Sequence, residues 1–296
     1  MRGAACLLFC LAAFGEELPL RIYTTADGLA GNTIDRIVRD SRGYLWFCTR
    51  EGISRFDGYQ FRNFGADQGL PAPDNDLVET QSGDYFIATG DGIARFRPAD
   101  PNPRFSVFRI AGPLRHPIQT LAADPAGGLW AATSTGLYHL DPPHPPATRE
   151  WRLRLVDIGL PHQNFEDDSV EALLVDRTGT LWVGTRGGLY RRSPNGQSEG
   201  AHGGLPHSDV TALLQDREGR LWAGTRQGVC RILPERSFAG RQLQDVCAAV
   251  PGQTGGVVYS LHESSDGVLW AGSNGLLMAW IPGIAGVSHY TARNGL

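Results

Sequence analysis

The sequence predicts an all-β fold built from repeated four-stranded antiparallel sheets, and three observations support this prediction. The 38 glycines and 19 prolines make up 57 of the 296 residues, or about 19 per cent. An average chain contains roughly 12 per cent of these two residues. A frame of glycine, aromatic residue, small residue and hydroxyl residue recurs six times along the chain. The segments between turn signals are short and rich in β-branched and aromatic residues, which favours strands over helices.

The repeat is clearest in residues 176–185 (DRTGTLWVGT) and 216–225 (DREGRLWAGT). In each copy a glycine lies three residues before an aromatic anchor, a small residue lies two after it, and a hydroxyl residue lies three after it. An Asp, Ser or Thr, each with a side-chain oxygen acceptor, lies six before it. Six copies are present, with anchors separated by 40, 44, 52, 40 and 48 residues. The anchors are Trp46, Phe86, Trp130, Trp182, Trp222 and Trp270.

Each position of the repeat has a physical role. The oxygen acceptor is expected to bind backbone N–H groups of the following turn, and the glycine to supply the left-handed conformation that closes a hairpin. The anchor should fill the space between neighbouring units, and the small residue should let adjacent backbones approach. The hydroxyl group is expected to bond to a neighbouring strand or loop. These roles describe a structural unit that is repeated six times.

Further strands surround each anchor. The apolar segments 170–175 and 210–215 precede the turn and are predicted to be innermost strands. Third strands begin at a turn glycine, as in 52–56, 92–96, 188–192 and 228–232, and a looser fourth strand follows, as in 60–64. Four short antiparallel strands with a period in the forties are the pattern of a β-propeller blade. The sequence therefore predicts a β-propeller with six complete blade cores.

Composition excludes several classes of function. The net charge of −4 and the pI near 6.1 offer no basic surface for nucleic acid. All 27 basic residues are arginine, so every lysine-dependent mechanism is excluded, including those of P-loop enzymes, Schiff-base enzymes and kinases. No Cys-x-x-Cys or His-x-x-x-His spacing indicates a metal site.

The first 15 residues predict a secretory signal peptide. One arginine and an apolar run over 3–14 precede a small-x-small end, and the run is too short to span a bilayer. A buried N-terminal strand is the alternative, and a lipoprotein cleaved at Cys10 is a weaker one. The mature chain is expected to be soluble and outside the cytoplasm. Its cysteines, Cys48, Cys230 and Cys247, form no obvious disulfide framework and are interpreted as small core or strand residues.

The repeat resembles a known family. The pattern Asp-x-x-Gly-x-Leu-Trp-x-Gly-Thr-x-x-Gly-Leu-x-Arg is similar to the two-component regulator propeller repeat. The first unit, 43–59, and its lead-in, 23–29, are similar to the opening blade of those proteins. The resemblance covers residues 18–296. It implies a periplasmic propeller that serves as the input domain of a membrane sensor, for carbohydrate or another extracellular cue.

The same resemblance implies segments that this sequence lacks. In that family one or two seven-bladed propellers precede an immunoglobulin-like domain, a transmembrane helix and a histidine kinase or other output domain. Residues 290–296 repeat the frame of 23–29, so a seventh blade is expected to begin there. We therefore expect a signal peptide (1–15) and a propeller (16–296) that is part of a seven-bladed ring. A genuine six-bladed ring, closed by residues 18–30, is the alternative.

Ligands of propellers usually meet the face formed by loops that lead into the innermost strands and loops between the second and third strands. Polar side chains converging on this rim could hydrogen-bond a sugar or a peptide; otherwise they are ordinary solvated loop residues. The ligand-binding candidates are Asn32, Asp35, Arg50, Asp74, Asp76, His116, Asp168, Glu171, Arg186, Asp209 and Arg226.

No catalytic residue, metal ligand or cofactor is predicted. Asp167 and Asp168 are adjacent, so their side chains should point apart on extended backbone. The histidines near the starts of blades occupy mostly non-equivalent positions; they are His116, His162, His202 and His207. The leading hypothesis is a non-catalytic ligand-sensing propeller of a two-component sensor. A secreted enzyme similar to the streptogramin lyases and a structural interaction scaffold are the alternatives.

The expected partner is an extracellular ligand, with carbohydrate as one class, and nucleic acid is excluded. Membrane association is expected only through a C-terminal segment that these residues do not include. The hypothesis also allows a homodimer, as in membrane sensors.

Overall fold

The computed structural model describes residues 20–71, 74–97, 104–110, 117–143, 151–160, 169–201, 204–233, 247–253 and 255–296. These residues form six four-stranded antiparallel sheets, each made of four strands consecutive in sequence. Helical structure within the described residues is limited to three short 3-10 turns. The predicted all-β class and the six predicted blades are confirmed. The expected signal peptide lies outside the described residues.

The strands are numbered in chain order, four to a blade. Blades 1 and 2 contain β1 (Ile34–Arg39), β2 (Leu45–Thr49), β3 (Gly52–Phe56), β4 (Phe61–Phe64), β5 (Asp74–Glu79), β6 (Tyr85–Thr89), β7 (Gly92–Phe96) and β8 (Ser106–Phe108). Blades 3 and 4 contain β9 (Ile118–Ala123), β10 (Leu129–Thr133), β11 (Gly136–Asp141), β12 (Arg152–Val156), β13 (Val170–Val175), β14 (Leu181–Thr185), β15 (Leu189–Arg192) and β16 (Ser198–Ala201). Blades 5 and 6 contain β17 (Val210–Gln215), β18 (Leu221–Thr225), β19 (Gly228–Ile232), β20 (Cys247–Ala249), β21 (Ser260–Glu263), β22 (Leu269–Ser273), β23 (Leu276–Trp280) and β24 (Ser288–Tyr290).

The blades are arranged in a ring around their innermost strands. These strands contact one another in chain order, β1 with β5, then β9, β13, β17 and β21. Among the described residues no contact of comparable extent joins β21 back to β1. The innermost strand of each blade therefore faces the centre, and its first residues lie at one end of the ring, which we call the rim.

In blades 1, 4 and 5 the acceptor of the repeat binds both the turn and the anchor. In blade 1 the Asp40 carboxylate accepts the backbone N–H groups of Arg42 and Tyr44, as predicted, and also the indole Nε1–H of Trp46 at 2.9 Å. The same acceptor-to-indole bond recurs in blades 4, 5 and 6 at 2.8–3.0 Å. It fixes the indole ring relative to the turn, and sequence reasoning missed it. The donor and acceptor pairs are Trp182–Asp176, Trp222–Asp216 and Trp270–Ser264.

Ionisation of Asp216 is coupled to folding. Burial alone would raise the pKa of Asp216, but hydrogen bonds from the Trp222 indole and the Arg220 guanidinium hold that pKa below its ordinary value. The carboxylate is fully buried and must remain charged to accept these bonds. The turn of blade 5 is therefore most stable with Asp216 ionised.

The anchors pack between neighbouring blades, as predicted. Trp46 lies in one apolar cluster with Leu77 and Tyr85 of blade 2, and its ring centroid is 5.2 Å from that of Tyr85. Trp182 lies in a cluster with Val210 and Leu221 of blade 5. Both indoles are almost completely buried. The anchors of blades 1 to 5 thus join each of these blades to the next one in the chain.

The small and hydroxyl positions also perform structural roles. A Cβ added to Gly184 would come within 2.7 Å of Val210 Cγ1, so only glycine allows blade 5 to approach this closely. The hydroxyl of Thr185 donates to the carbonyl oxygen of Gly188 at 3.0 Å, and four other blades show the same bond. The hydroxyl group therefore closes the turn between the second and third strands of its own blade.

The last blade is less well covered than the others. Trp270 is only half-buried, whereas Trp46, Trp182 and Trp222 are buried. Leu70, in the connection from blade 1 to blade 2, is buried, but Leu296 occupies the matching position after blade 6 and is 48% exposed. The face of blade 6 that would receive a following blade is thus partly open to solvent.

Two cysteines are joined, contrary to the interpretation of all three as unpaired core or strand residues. Cys230 on β19 and Cys247 on β20 form a disulfide between neighbouring strands of blade 5. Cys48 is buried and unbridged. The pairing was missed because it depends on the register of two strands separated by 17 residues, which no spacing rule gives.

Candidate functional site

Three blades form a polar cavity at the rim, which we call the rim cleft. Its volume is about 240 Å³, and it lies at the starts of the innermost strands of blades 4, 5 and 6. Three of the predicted ligand-binding residues line it, and three other residues complete the wall. The lining residues are Glu171, Asp209, Thr211, Arg226, Val257 and Tyr259.

Backbone hydrogen bonds join the two kinds of loop that were predicted to form the rim. These are the loops that lead into the innermost strands and the loops between the second and third strands. The turn after β18 is tied to the residue before β17, because the Arg226 N–H donates to the Asp209 carbonyl at 3.3 Å. The Arg186 N–H donates to the Ser169 carbonyl in the same way in blade 4, at 3.2 Å. The side chains at these positions therefore project from one surface, as the propeller prediction required.

Two ion pairs organise the charges of the cleft. The Arg186 Nε–H donates to Glu171 Oε1 at 2.9 Å, and the Ser169 hydroxyl donates to the same oxygen at 2.9 Å. In blade 5 the Arg226 Nε–H donates to Asp209 Oδ2. Glu171 and Asp209 lie at the starts of neighbouring innermost strands, so blades 4 and 5 each place one carboxylate–guanidinium pair at the cleft.

The two partners of the blade 5 ion pair differ in burial. The Asp209 side chain is 6% exposed, whereas the Arg226 side chain is 52% exposed and reaches into solvent. The hydrogen bond and charge of Asp209 raise the pKa of Arg226, and the charges of Glu171 and Tyr259 act in the same direction. Asp209 Oδ1 is buried and has no hydrogen-bond donor among the described residues. One carboxylate oxygen at the floor of the cleft therefore lacks a partner.

Tyr259 gives the cleft an aromatic wall that sequence reasoning missed. Its side chain is 60% exposed and stands beside Val257 at the start of blade 6. Its position, eleven residues before the anchor, is occupied by Asp35, Glu171 and Thr211 in blades 1, 4 and 5. This position differs from blade to blade while the structural positions recur, and that contrast was the available signal.

The candidates of blade 1 lie at the rim but outside the cleft lining. Asn32 accepts the backbone N–H of Thr25 at 2.8 Å and so holds the N-terminal turn. Asp35 is exposed at the start of β1; partial desolvation raises its pKa, Arg50 lowers it and Glu51 raises it further. Arg50 is also exposed, so this part of the rim carries charges without a described cavity.

Asp76 is placed in the interior instead of on the rim surface. It is 3% exposed and accepts the Thr120 hydroxyl at 2.6 Å and the Leu121 N–H at 3.0 Å, and Arg36 lies 3.3 Å from its other oxygen. It therefore joins the innermost strands of blades 1, 2 and 3. The backbone of Asp74 begins β5, and His116 and Asp168 lie outside the described residues.

Of the histidines considered for catalysis, only His207 lies in the described part of the chain, where its Nδ1 accepts the Asp209 N–H at 3.0 Å. Asp167 is also outside that part. Among the described residues no group of three His, Cys, Asp or Glu side chains could hold a metal ion.

A larger cavity of about 460 Å³ lies between blades 2 and 3 at the opposite end of the strands. Its carboxylates are bound within the protein: Asp84 to Arg95 and Arg97, and Asp124 to His139 at 3.0 Å. Burial acts to raise the pKa of Asp84, but the bonds from Arg97 and Arg95 hold it below its ordinary value. These pairs join β-turns to strands, so this cavity has a structural lining.

Four segments of the chain match the family model described as the two component regulator propeller. They are 28–51, 164–187, 204–227 and 252–275, and they correspond to blades 1, 4, 5 and 6. A curated relative, histidine kinase P4 of Formosa agariphila, is 34% identical over 56 residues. That stretch is 19% of this chain and 4% of the relative.

Two similar solved structures are extracellular domains from B. thetaiotaomicron. One, described as belonging to a one component system, has a TM-score of 0.70 and 20% identity over 90% of this chain and 34% of its own. The other, described as belonging to a hybrid two component system, has a TM-score of 0.67 and 22% identity over 88% and 35%. The chain spans about a third of the length of these domains.

The fold is also similar to virginiamycin B lyase from Staphylococcus aureus, with a TM-score of 0.67 and 12% identity over 86% of this chain and 83% of the lyase. At such identity the likeness concerns the fold alone. No helix in the described part of the chain has the length and apolar character needed to cross a membrane. The six blades show that the described residues form a β-propeller, and four of the blades contain segments that match the two component regulator propeller model.

Proposed function

We propose that this propeller is the extracytoplasmic, non-catalytic ligand-sensing part of a two-component signal transduction system, and that it recognises its ligand in the rim cleft. The observation that carries the proposal is the convergence of Glu171, Asp209, Arg226 and Tyr259 from three adjacent blades on one cavity. The matched repeats and the similarity to extracellular domains of such systems support the sensing role.

The chemistry of the cleft suits a polar ligand rich in hydroxyl or amide groups. Guanidinium groups donate hydrogen bonds, carboxylates accept them, and a phenol ring offers an apolar face with a polar edge. Each carboxylate is paired with an arginine of its own blade, so the cleft presents both hydrogen-bond donors and acceptors. The unpartnered Asp209 Oδ1 would accept a hydroxyl or N–H donor of the ligand. Oligosaccharides and short peptides both meet this description.

We further propose a periplasmic or secreted location. The disulfide between Cys230 and Cys247 supports it, because such bonds form and persist in oxidising compartments. The apolar N-terminal segment 3–14 supports it as well.

The proposal includes a seventh blade and a histidine kinase output, both outside this sequence. The half-buried Trp270 and the exposed Leu296 support a further blade packing on blade 6.

The proposal is tested by ligand screening on the purified chain. Thermal shift against a panel of neutral oligosaccharides and short peptides, followed by calorimetry, should identify a ligand. Arg226→Gln and Asp209→Asn should weaken its binding by about tenfold or more, the expected effect of losing a charge-assisted hydrogen bond. Arg50→Gln, on the rim of blade 1, is the matched control. Binding that Arg50→Gln weakens and Arg226→Gln does not would refute the rim cleft as the site.

A further inference from the structure

Blades 5 and 6 form a second groove at the opposite end of β18 from the rim cleft. Arg220 precedes β18 and lies in this groove, whereas Arg226 follows β18 and lies in the cleft. We call it the blade 5–6 groove. It encloses about 300 Å³, which is at the lower end of the range for small-molecule sites.

The walls of the groove are mainly apolar. Trp222 and Trp280 pack edge to face in it, with ring centroids 5.8 Å apart. The loop between β23 and β24, residues 281–287 (IPGIAGV), covers one side, and Ile284 in it is 64% exposed. The corresponding loop of blade 4, residues 193–197 (SPNGQ), is polar. Blade 6 therefore exposes apolar side chains where blade 4 presents polar ones.

Arg231, a cation in the groove, lacks the acidic partner that its repeat position has in two other blades. An arginine lies nine residues after the anchor in four blades. Arg95 pairs with Asp84 at 3.0 Å, and Arg191 pairs with Glu199 at 2.8 Å. Arg231 is exposed in the groove and has no acidic partner among the described residues.

The missing partner has a clear cause in strand register. In blade 4, Arg191 lies opposite Glu199 on the neighbouring fourth strand. In blade 5, Arg231 lies opposite Ala248, which offers neither charge nor hydrogen-bond acceptor. The other arginine of the groove, Arg220, is already bound to Asp216 and Glu218, each at 2.6 Å. Among the described residues, Arg231 is therefore left available to an external anion.

We propose that the blade 5–6 groove binds a small monocarboxylate with an apolar body. The carboxylate takes the place that Glu199 holds in blade 4 and pairs with Arg231, whose planar guanidinium suits bidentate contact with a carboxylate. The apolar body lies on Trp222 and Trp280 and under Ile284, where it removes apolar surface from water. The site is separate from the rim cleft and does not depend on the sensing role.

The experiment uses octanoate as the probe and 1-octanol as its neutral counterpart. Binding to the purified chain is measured by titration calorimetry and by the change in tryptophan emission, because both groove tryptophans contact the proposed ligand. Octanoate should bind at least about tenfold more tightly than octanol, since only octanoate can form the charge-assisted pair.

Variants separate a specific site from general apolar binding. Arg231→Gln should weaken octanoate by about tenfold or more and leave octanol unchanged. Arg191→Gln removes the same repeat arginine from blade 4, where it is already paired, and should leave octanoate binding unchanged. The proposal is overturned if octanoate fails to bind at millimolar concentration, if octanol binds equally well, or if Arg231→Gln has no effect.

Discussion

Trp182→Ala should destabilise the whole propeller while leaving the composition of the rim cleft intact. Trp182 is 2% exposed and packs between blades 4 and 5 with Val210 and Leu221. Its Nε1–H donates to Asp176 Oδ2 at 2.8 Å, and Asp176 is itself buried. The substitution therefore removes both an apolar contact between blades and the hydrogen bond that fixes the turn.

The two losses can be estimated separately. Truncating a buried tryptophan to alanine costs about 3–5 kcal/mol, because a cavity remains between the blades. Leaving the buried Asp176 oxygen without its donor costs about 1–3 kcal/mol more where water does not replace it. Trp182→Phe keeps most of the packing and loses only the N–H donor, so it should cost about 1–3 kcal/mol.

Urea denaturation followed by far-ultraviolet circular dichroism measures both variants. Trp270→Ala is the control, because that anchor lies in blade 6 and is only half-buried among the described residues. Its cost should be about 1–2 kcal/mol, in proportion to the smaller apolar area it buries. If Trp182→Ala and Trp270→Ala lowered the free energy of unfolding equally, the role of the anchors as inter-blade packing would be refuted.

Three further predictions concern the disulfide, acid and the last blade. Replacing Cys230 and Cys247 by serine should lower the free energy of unfolding by about 3 kcal/mol, the usual value for a loop of this length. A reductant should destabilise the native chain but not the serine variant. Equal sensitivity of the native chain and the variant to reductant would contradict the disulfide. Folding lowers the pKa of Asp216 below the unfolded value near 3.9, so the stabilisation it provides is present above about pH 4 and is lost as pH falls through the folded value. Urea titrations at pH 5 and pH 3 should show this loss of stability. The free energy of unfolding of Asp216→Asn should depend less on pH than that of the native chain. An equal pH dependence of the two proteins would contradict the role of Asp216. Leu70→Ala should lower the free energy of unfolding by about 2–5 kcal/mol. Leu296→Ala, at the matching exposed position, should lower it by less than about 0.5 kcal/mol. Equal losses would show that blade 6 is covered in solution.

The blade architecture could be predicted because its signals are local and repeated. The third strands β3, β7 and β19 begin at the predicted glycines and have the predicted bounds, and β13 and β17 match the predicted innermost strands. Each such element is specified within about twenty residues by turn chemistry and alternation. Agreement among six copies then removed the ambiguity that a single copy would have left.

The contacts that could not be predicted are those between elements distant in sequence. The disulfide requires Cys247 to lie beside β19, which depends on strand register. The burial of Asp76 depends on its neighbours in blades 1 and 3. The bond between acceptor and indole did leave a trace in the sequence. Blade 2, whose anchor is Phe86, is the one with threonine at the acceptor position, since a phenyl ring needs no acceptor.

The rim could be predicted as a face but not as a cavity. The loop sets placed Glu171, Asp209 and Arg226 on one end of the ring, as the rim cleft shows. Their grouping there, away from Asp35 and Arg50, follows from the angular order of the blades, which residue patterns within a blade do not contain. Tyr259 escaped notice because the candidates were chosen among polar and charged side chains, whereas its ring is largely apolar.

A repeat protein separates its structural and recognition residues by position. Glycine, anchor and hydroxyl recur because every blade must pack on the next, so residues at those positions carry no information about a ligand. In the proposed function, recognition therefore lies where the blades differ. Eleven residues before the anchor, blades 4, 5 and 6 carry Glu171, Thr211 and Tyr259, and these three line one cleft. Nine residues after the anchor, Arg231 keeps the repeat residue but loses its partner, and it lies in the second groove. Both sites thus arise from departures from the repeat on a scaffold that the repeat itself holds rigid.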